Sequence, residues 1–322
     1  MIHLVWVPLL MPFLAVPAAR RAATALPPRH AAWLLTAVAL VLAVSSSAAL
    51  VLLVVPGASY LPPVAVLGEL LEPLTAGPPA VTVVLALLAG ALLVRHAAAL
   101  TAAAHRTRTD LRRARGAVGA TDGELAVVRD SRPDAYALPG RSGRIVVTTG
   151  MLRALEPAER EALFAHERAH LRGRHHLLLM AVELSAHCHP ALRALCEPIR
   201  YALERTADEA AAAAVGDRRL AARAIGRAAL AARHDRGGEA PGPARPRAVL
   251  AATAGPVPRR VAALLGGAES GPPAASRTGR LIAGALLCCL VCCLALSGAT
   301  AAGAANDLHT HIEIAQGESA AE

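Results

Sequence analysis

HERAHLRGRHH, residues 166–176, sets two histidines four apart with a glutamate between them, then follows them with a glycine and a second pair of histidines. Its reading decides the fold, because it satisfies two metal-site patterns that disagree about the third ligand. The short form, His166-Glu167-x-x-His170, leaves that ligand to a distant part of the chain. The long form, H-E-x-x-H-x-x-G-x-x-H, supplies it locally as His176 after Gly173.

On a helix, residues four apart share a face and stand about 6 Å apart along the axis, so His166 and His170 can aim ring nitrogens at one Zn²⁺. Glu167 lies about 100° around from His166, placed to reach a water in the site without binding the metal. That division of labour suits hydrolysis, with Glu167 as the general base that passes its proton to the leaving group. If the helix runs on past Gly173, His176 sits about 9 Å beyond His170 and cannot share its metal. Only a chain that doubles back at Gly173 makes the long form work. The long form also needs a methionine turn well downstream, and Met180 is the only methionine after the motif. RGRHH reads instead as a basic, histidine-rich continuation of the helix. The rival third ligand is Glu204 in ERTADEAA, where Glu204 and Asp208 are four apart and face the same way. Glu204 would complete a His-His-Glu site, and Asp208 would accept a hydrogen bond from a ligand imidazole. Glu204 is the favoured ligand and His176 the alternative.

The surroundings of the motif are apolar. The 322 residues are 55% hydrophobic and only 2% aromatic, with a mean hydropathy of +0.44, which points to several membrane spans. Four stretches have the roughly 20 apolar residues that a bilayer core requires: 2–19, 31–55, 79–100 and 281–304. The third does so with Arg95 and His96 snorkelling toward the interface. The net charge of +9 comes entirely from arginine, since the chain has no lysine. Arg20, Arg21 and Arg29 follow the first span, and a run from Arg95 to Arg115 follows the third, so these loops are expected inside. The 56–78 loop carries Glu69 and Glu72 without arginine and is expected outside, as are both termini. The chain is thus expected in the cell membrane, multi-pass, with its site in the cytoplasm. The arginine run is expected to meet anionic lipid headgroups; nucleic acid is not expected, for want of an aromatic stacking platform. Four of six cysteines form Cys288-Cys289-Leu-Val-Cys292-Cys293 in the last span and read as small apolar side chains, while Cys188 and Cys196 read as buried structural thiols.

Three spans therefore fill residues 1–104, an enclosed domain fills 105–233, a Gly/Pro/Ala-rich linker with one short helix, VPRRVAALL, fills 234–280, the fourth span follows at 281–304, and 305–322 is a short outer tail. The domain opens with β signals at 125–130, 135–140 and 144–150, the last two joined by PGRSG, and a small antiparallel sheet is expected. From Pro157 the pattern turns helical, with further helices expected at 177–188, 191–197, 199–214 and 217–233. His175, His187 and His189 read as solvated or structural, with a second metal as the lesser alternative. His309 and His311 in the tail suggest no function.

AYALPGRSGRIVVTTGML, EPAEREALFAHERAHLRGRHH and ERTADEAA, taken in that order, resemble the integral-membrane zinc metallopeptidases of the BlaR/MecR antibiotic-sensor type, with the HtpX and CAAX-protease group as a close relative. The resemblance covers about residues 120–215. It implies a zincin-like cytoplasmic domain within a mainly helical α+β membrane protein, one Zn²⁺ held by His166, His170 and Glu204, and protein or peptide substrates cut at or near the membrane. In the wider family an edge strand beside the zinc holds substrate by β-augmentation, and RIVVTTG resembles that strand, with an ordinary sheet strand as the equal alternative. Sensors of that type carry a large extracellular β-lactam-binding domain after the last span, whereas a short tail follows residue 304 here, so direct β-lactam sensing is not expected. The expected function is a membrane zinc endopeptidase, either a regulatory, repressor-cleaving protease or an HtpX-like quality-control protease. The contrasting alternative is a signalling component that binds without cutting.

Overall fold

The computed structural model describes residues 2–67, 69, 73–74, 78–118, 123–140, 143–234, 256–266 and 277–316. The rest of the stretch read as a linker, 235–255 and 267–276, lies outside the described residues, as does the end of the tail. The protein is mainly helical. Four helices are long and apolar enough to cross a membrane: α1 (Ile2–Thr24), α2 (Pro28–Ala58), α4 (Pro79–Val118) and α11 (Arg277–Ala315), with the short α3 (Pro62–Leu67) after α2. Helix α4 carries the arginine run well past its apolar part, and α11 takes in most of the residues read as a tail.

Helix α1 has three prolines, Pro8, Pro12 and Pro17, each lacking the N–H that would bond four residues back. Pro12 thereby orphans the carbonyl of Pro8, and the Ser46 hydroxyl of α2 donates to that oxygen at 2.9 Å. The proline that weakens α1 internally thus creates the acceptor that ties it to α2. Close packing joins α2 to α4 as well: a Cβ on Gly57 would stand 2.1 Å from that of Ala86.

The sheet has three strands, β1 (Leu125–Val128), β2 (Ala135–Leu138) and β3 (Arg144–Thr148), in the order β1-β3-β2. Strands β2 and β3 pair antiparallel, as their turn sequence implies, but β1 pairs parallel with β3, so the sheet is mixed rather than antiparallel. The cause lies in the 129–134 connection. The Asp130 carbonyl accepts from the Gly150 amide at 2.8 Å and the Thr149 hydroxyl at 2.8 Å, and the Thr148 hydroxyl donates to the Arg132 carbonyl at 2.7 Å. The connection is stapled across the end of β3 and delivers β2 to its far side. RIVVTTG is therefore the central strand and not an edge.

After the short α5 (Thr149–Ala154) come α6 (Pro157–Arg172), α7 (His175–Cys188), a 3-10 helix (Pro190–Leu195), α8 (Cys196–Val215), α9 (Arg218–His234) and α10 (Val257–Leu265). Pro157 opens α6, and the Glu159 carboxylate accepts from the Glu156 amide at 3.1 Å. The expected continuation of α6 through RGRHH does not occur. The helix ends at Arg172, and Arg174 adopts a left-handed conformation, φ 48° and ψ 39°, which turns the chain into α7. Helix α7 packs along α2, and one hydrophobic core joins Val16 of α1, Leu35 and Leu42 of α2, Leu179 and Val182 of α7, and Ile199 of α8. At its far end His189 bonds through Nε2 to the Leu9 carbonyl, midway along α1, at 3.0 Å. Cys188 and Cys196 are half-buried free thiols in this region.

Candidate metal centre

Helices α6 and α8 cross so that His166, His170 and Glu204 meet. The two Nε2 atoms are 3.1 Å apart, His166 Nε2 is 3.5 Å from Glu204 Oε2, and His170 Nε2 is 3.7 Å from Glu204 Oε1. One ligand atom from each residue falls within 4.8 Å of the others, and this is the one such group of histidine, cysteine and carboxylate side chains among the described residues. His166 and Glu204 are fully buried, and His170 is 4% exposed. Glu167 is fully buried too, one position on from His166 along α6.

Each histidine is held from behind. Asp208 Oδ1 lies 3.1 Å from His166 Nδ1, as expected of the carboxylate one turn beyond Glu204. His170 is held by a residue that sequence reasoning left aside: its Nδ1 lies 2.8 Å from Nδ1 of His175. With Nε2 of His170 turned toward Glu204, the shared proton belongs on His170 Nδ1, donated to His175. The turn at Gly173 makes this possible, because a Cβ there would stand 2.3 Å from His175 Nε2. So the chain does double back, as the long motif demanded, but it returns His175 to support His170 and leaves His176 half-buried and outside the ligand group.

Arg260 of α10 is the second residue that the sequence did not assign. It is fully buried, with Nη1 2.7 Å from Glu204 Oε2 and with Nη2 and Nε donating to Asp208 at 2.6 and 2.8 Å. The VPRRVAALL segment is thus no spacer: Arg218 donates to the Leu264 carbonyl at 3.0 Å and fixes its end, while Val257 and Leu264 join Ile225 in a small core. The available signal was a deficit of charge, since motifs holding Glu167, Glu204 and Asp208 need a cation somewhere.

The electrostatics follow from these contacts. Burial opposes charge on His166, but Asp208 and Glu204 outweigh it and lift its pKa to about 9. Burial, with His166, His175 and Arg260 nearby, pushes His170 well below the ordinary range and keeps it neutral. Burial likewise brings His175 down to about 4. Burial would raise Asp208, yet the hydrogen bonds from Arg260 and His166 hold it at about 2. Three buried carboxylates, Glu167, Glu204 and Asp208, thus gather around Arg260 and His166, and Glu204 Oε1 has no hydrogen-bond partner. A divalent cation bound by two imidazoles and that oxygen would take the place of the His166 proton and satisfy the orphaned atom. The donor set fits zinc.

Residues 101–192 match Peptidase family M48, a segment that holds His166, Glu167, His170 and His175 and stops short of Glu204. The chain is 48% identical over 63 residues to a protein named Protease HtpX homolog from Thermoplasma acidophilum, covering 19% of this chain and 20% of that one. It is 42% identical over 53 residues to Protease HtpX homolog 2 from Methanosarcina mazei, covering 16% and 18%. The chain thus spans about a fifth of the length of the curated relatives it matches. No solved structure matches. Both relatives lie on the HtpX side of the resemblance drawn from the sequence. The protein carries a peptidase domain similar to those of family M48, set among four helices long and apolar enough to cross a membrane.

Proposed function

We propose that this protein is a membrane zinc endopeptidase that cuts protein or peptide substrates at the cytoplasmic membrane face, with the regulatory and quality-control forms of that activity both open to it. One observation carries the reading: His166, His170 and Glu204 converge in a buried site beside a buried Glu167. The ligands are His166, His170 and Glu204, and Zn²⁺, when bound, supplies Lewis acidity and lowers the pKa of a water in the site. Glu167 takes the proton of that water and returns it to the leaving amine. Asp208 and His175 fix the two imidazoles so that each presents Nε2 inward. Arg260 compensates Glu204 Oε2 and Asp208, which leaves Oε1 for the metal.

The edge strand that holds substrate, in this reading, is β1 rather than β3. Its outer side makes no strand pairing among the described residues, and Glu124 at its start is tied to Arg168 of the metal-binding helix at 2.8 and 3.1 Å. An extended peptide added there would run beside α6. The arginine run on α4 would rest on anionic headgroups, with both termini outside. Glu167→Gln tests the reading: zinc content should stay at one per chain while chelator-sensitive cleavage of a casein-type substrate falls by at least a thousandfold, roughly the loss of the base. A variant that cleaves like the wild type overturns it.

A further inference from the structure

A second basic feature lies away from the arginine run of α4. The last turns of α1, the 3-10 helix, the start of α8 and α10 enclose a cleft of about 990 Å³. Arg20, Arg21, Arg193, Arg205 and Arg259 line it, against the single carboxylate of Glu197. Arg20, Arg21, Arg193 and Arg259 make no ion pair among the described residues. Arg205 gives Nη2 to Glu209 at 2.7 Å, but its buried Nη1 has no hydrogen-bond partner. Arg259 is held 4.8 Å over the ring of Tyr201, which also lines the cleft. Guanidinium groups gathered without counter-charges repel one another, and the fold gains by placing an anion among them.

We propose that this cleft is a binding site for a phosphoryl group, of the kind borne by an anionic lipid headgroup. Planar guanidinium groups bind phosphoryl oxygens in pairs, and several arginines around one cavity offer the fork geometry that a single lysine cannot. The cleft sits at the end of an apolar helix whose last turn is Arg20 to Thr24, and Pro17, Leu26 and Ala31 line it beside the arginines. Charged and apolar lining together match the two parts of a phospholipid better than a free anion. Arg259 faces this cleft while its neighbour Arg260 faces Glu204 and Asp208, so an occupant would hold α10 in place over the metal ligands.

The test uses the full chain in a neutral detergent and needs no peptidase activity, so its failure is distinguishable from failure of the proposed function. The melting temperature is titrated with short-chain phosphatidylglycerol, matched phosphatidylcholine and inorganic phosphate. Phosphatidylglycerol should raise it saturably and phosphatidylcholine should not, and the triple variant Arg20→Gln/Arg21→Gln/Arg193→Gln should need at least tenfold more lipid. Equal protection by inorganic phosphate, lost in the same variant, supports the phosphoryl site and makes its source a soluble anion. Arg259→Gln, which alters one exposed side chain, serves if the triple variant does not fold, with the same rightward shift expected. Wild type that responds to neither anion, or a variant that responds as the wild type does, overturns the proposal.

Discussion

Replacing Gly173 with alanine separates the support of His170 from everything else in the site. Gly173 has ordinary right-handed angles, φ −75° and ψ −6°, so alanine fits the backbone without strain. The new methyl, however, would lie 2.3 Å from Nε2 and 2.5 Å from Cδ2 of His175, and the ring must swing away. That breaks the 2.8 Å contact to His170 Nδ1 and leaves a buried imidazole free to turn its other nitrogen from Glu204. A lost hydrogen bond costs about 0.5–1.5 kcal/mol. Loss of a partner behind a metal ligand weakens metal binding by about 10- to 100-fold, or about 1.4–2.8 kcal/mol. Zinc affinity, measured by competition with a chromophoric chelator, should fall by that factor, while unfolding without metal should shift by the lost hydrogen bond alone, about 0.5–1.5 kcal/mol. The loss should also be non-additive with His175→Ala, since the alanine at 173 acts only through that ring. Zinc affinity within about twofold of wild type, or full additivity with His175→Ala, would refute the reasoning.

Arg260→Met should destabilise the protein by about 3–5 kcal/mol in denaturant unfolding, because Asp208 and Glu204 stay buried without their cation, and added zinc should recover part of the loss. Glu209 bonds Arg205 on its own helix and joins α8 to α9 through Arg218; burial would raise its carboxyl, but Arg218 and Arg205 hold it below the ordinary 4.5. A depressed folded value means that its stabilisation is present above the unfolded pKa and lost as pH falls through the folded one, so Glu209→Gln should flatten the fall in melting temperature between about pH 6 and pH 3. Ser46→Ala should leave the Pro8 carbonyl without its donor and lower stability in detergent by about 0.6–2 kcal/mol, with no change in zinc content.

The helices and the meeting of His166, His170 and Glu204 were legible because each had a local signature. Apolar length gives the spans, and four-residue spacing places His166 beside His170 and Glu204 beside Asp208. What escaped depended on tertiary closure. The order of the strands turned on Asp130 bonding across the end of β3, and no pattern of alternation encodes that. Arg260 lay in a stretch whose Gly/Pro/Ala composition reads as spacer, and only the charge deficit at the metal centre gives it a purpose. RGRHH misled as a continuation of the helix: Gly173 does turn the chain, and the left-handed Arg174 returns His175, one position short of His176, the ligand of the long motif.

The core that joins α1 and α2 to α7 and α8 bears on how the chain can be made and handled. Leu179, Val182 and Ile199 are buried against the same side chains that pack the first two spans together. A peptidase fragment cut free after residue 104 would expose that whole face to water and would be expected to aggregate rather than fold. Helices α7 and α8 complete their packing only against α1 and α2, so the candidate metal site is expected to assemble only after those two helices are in place.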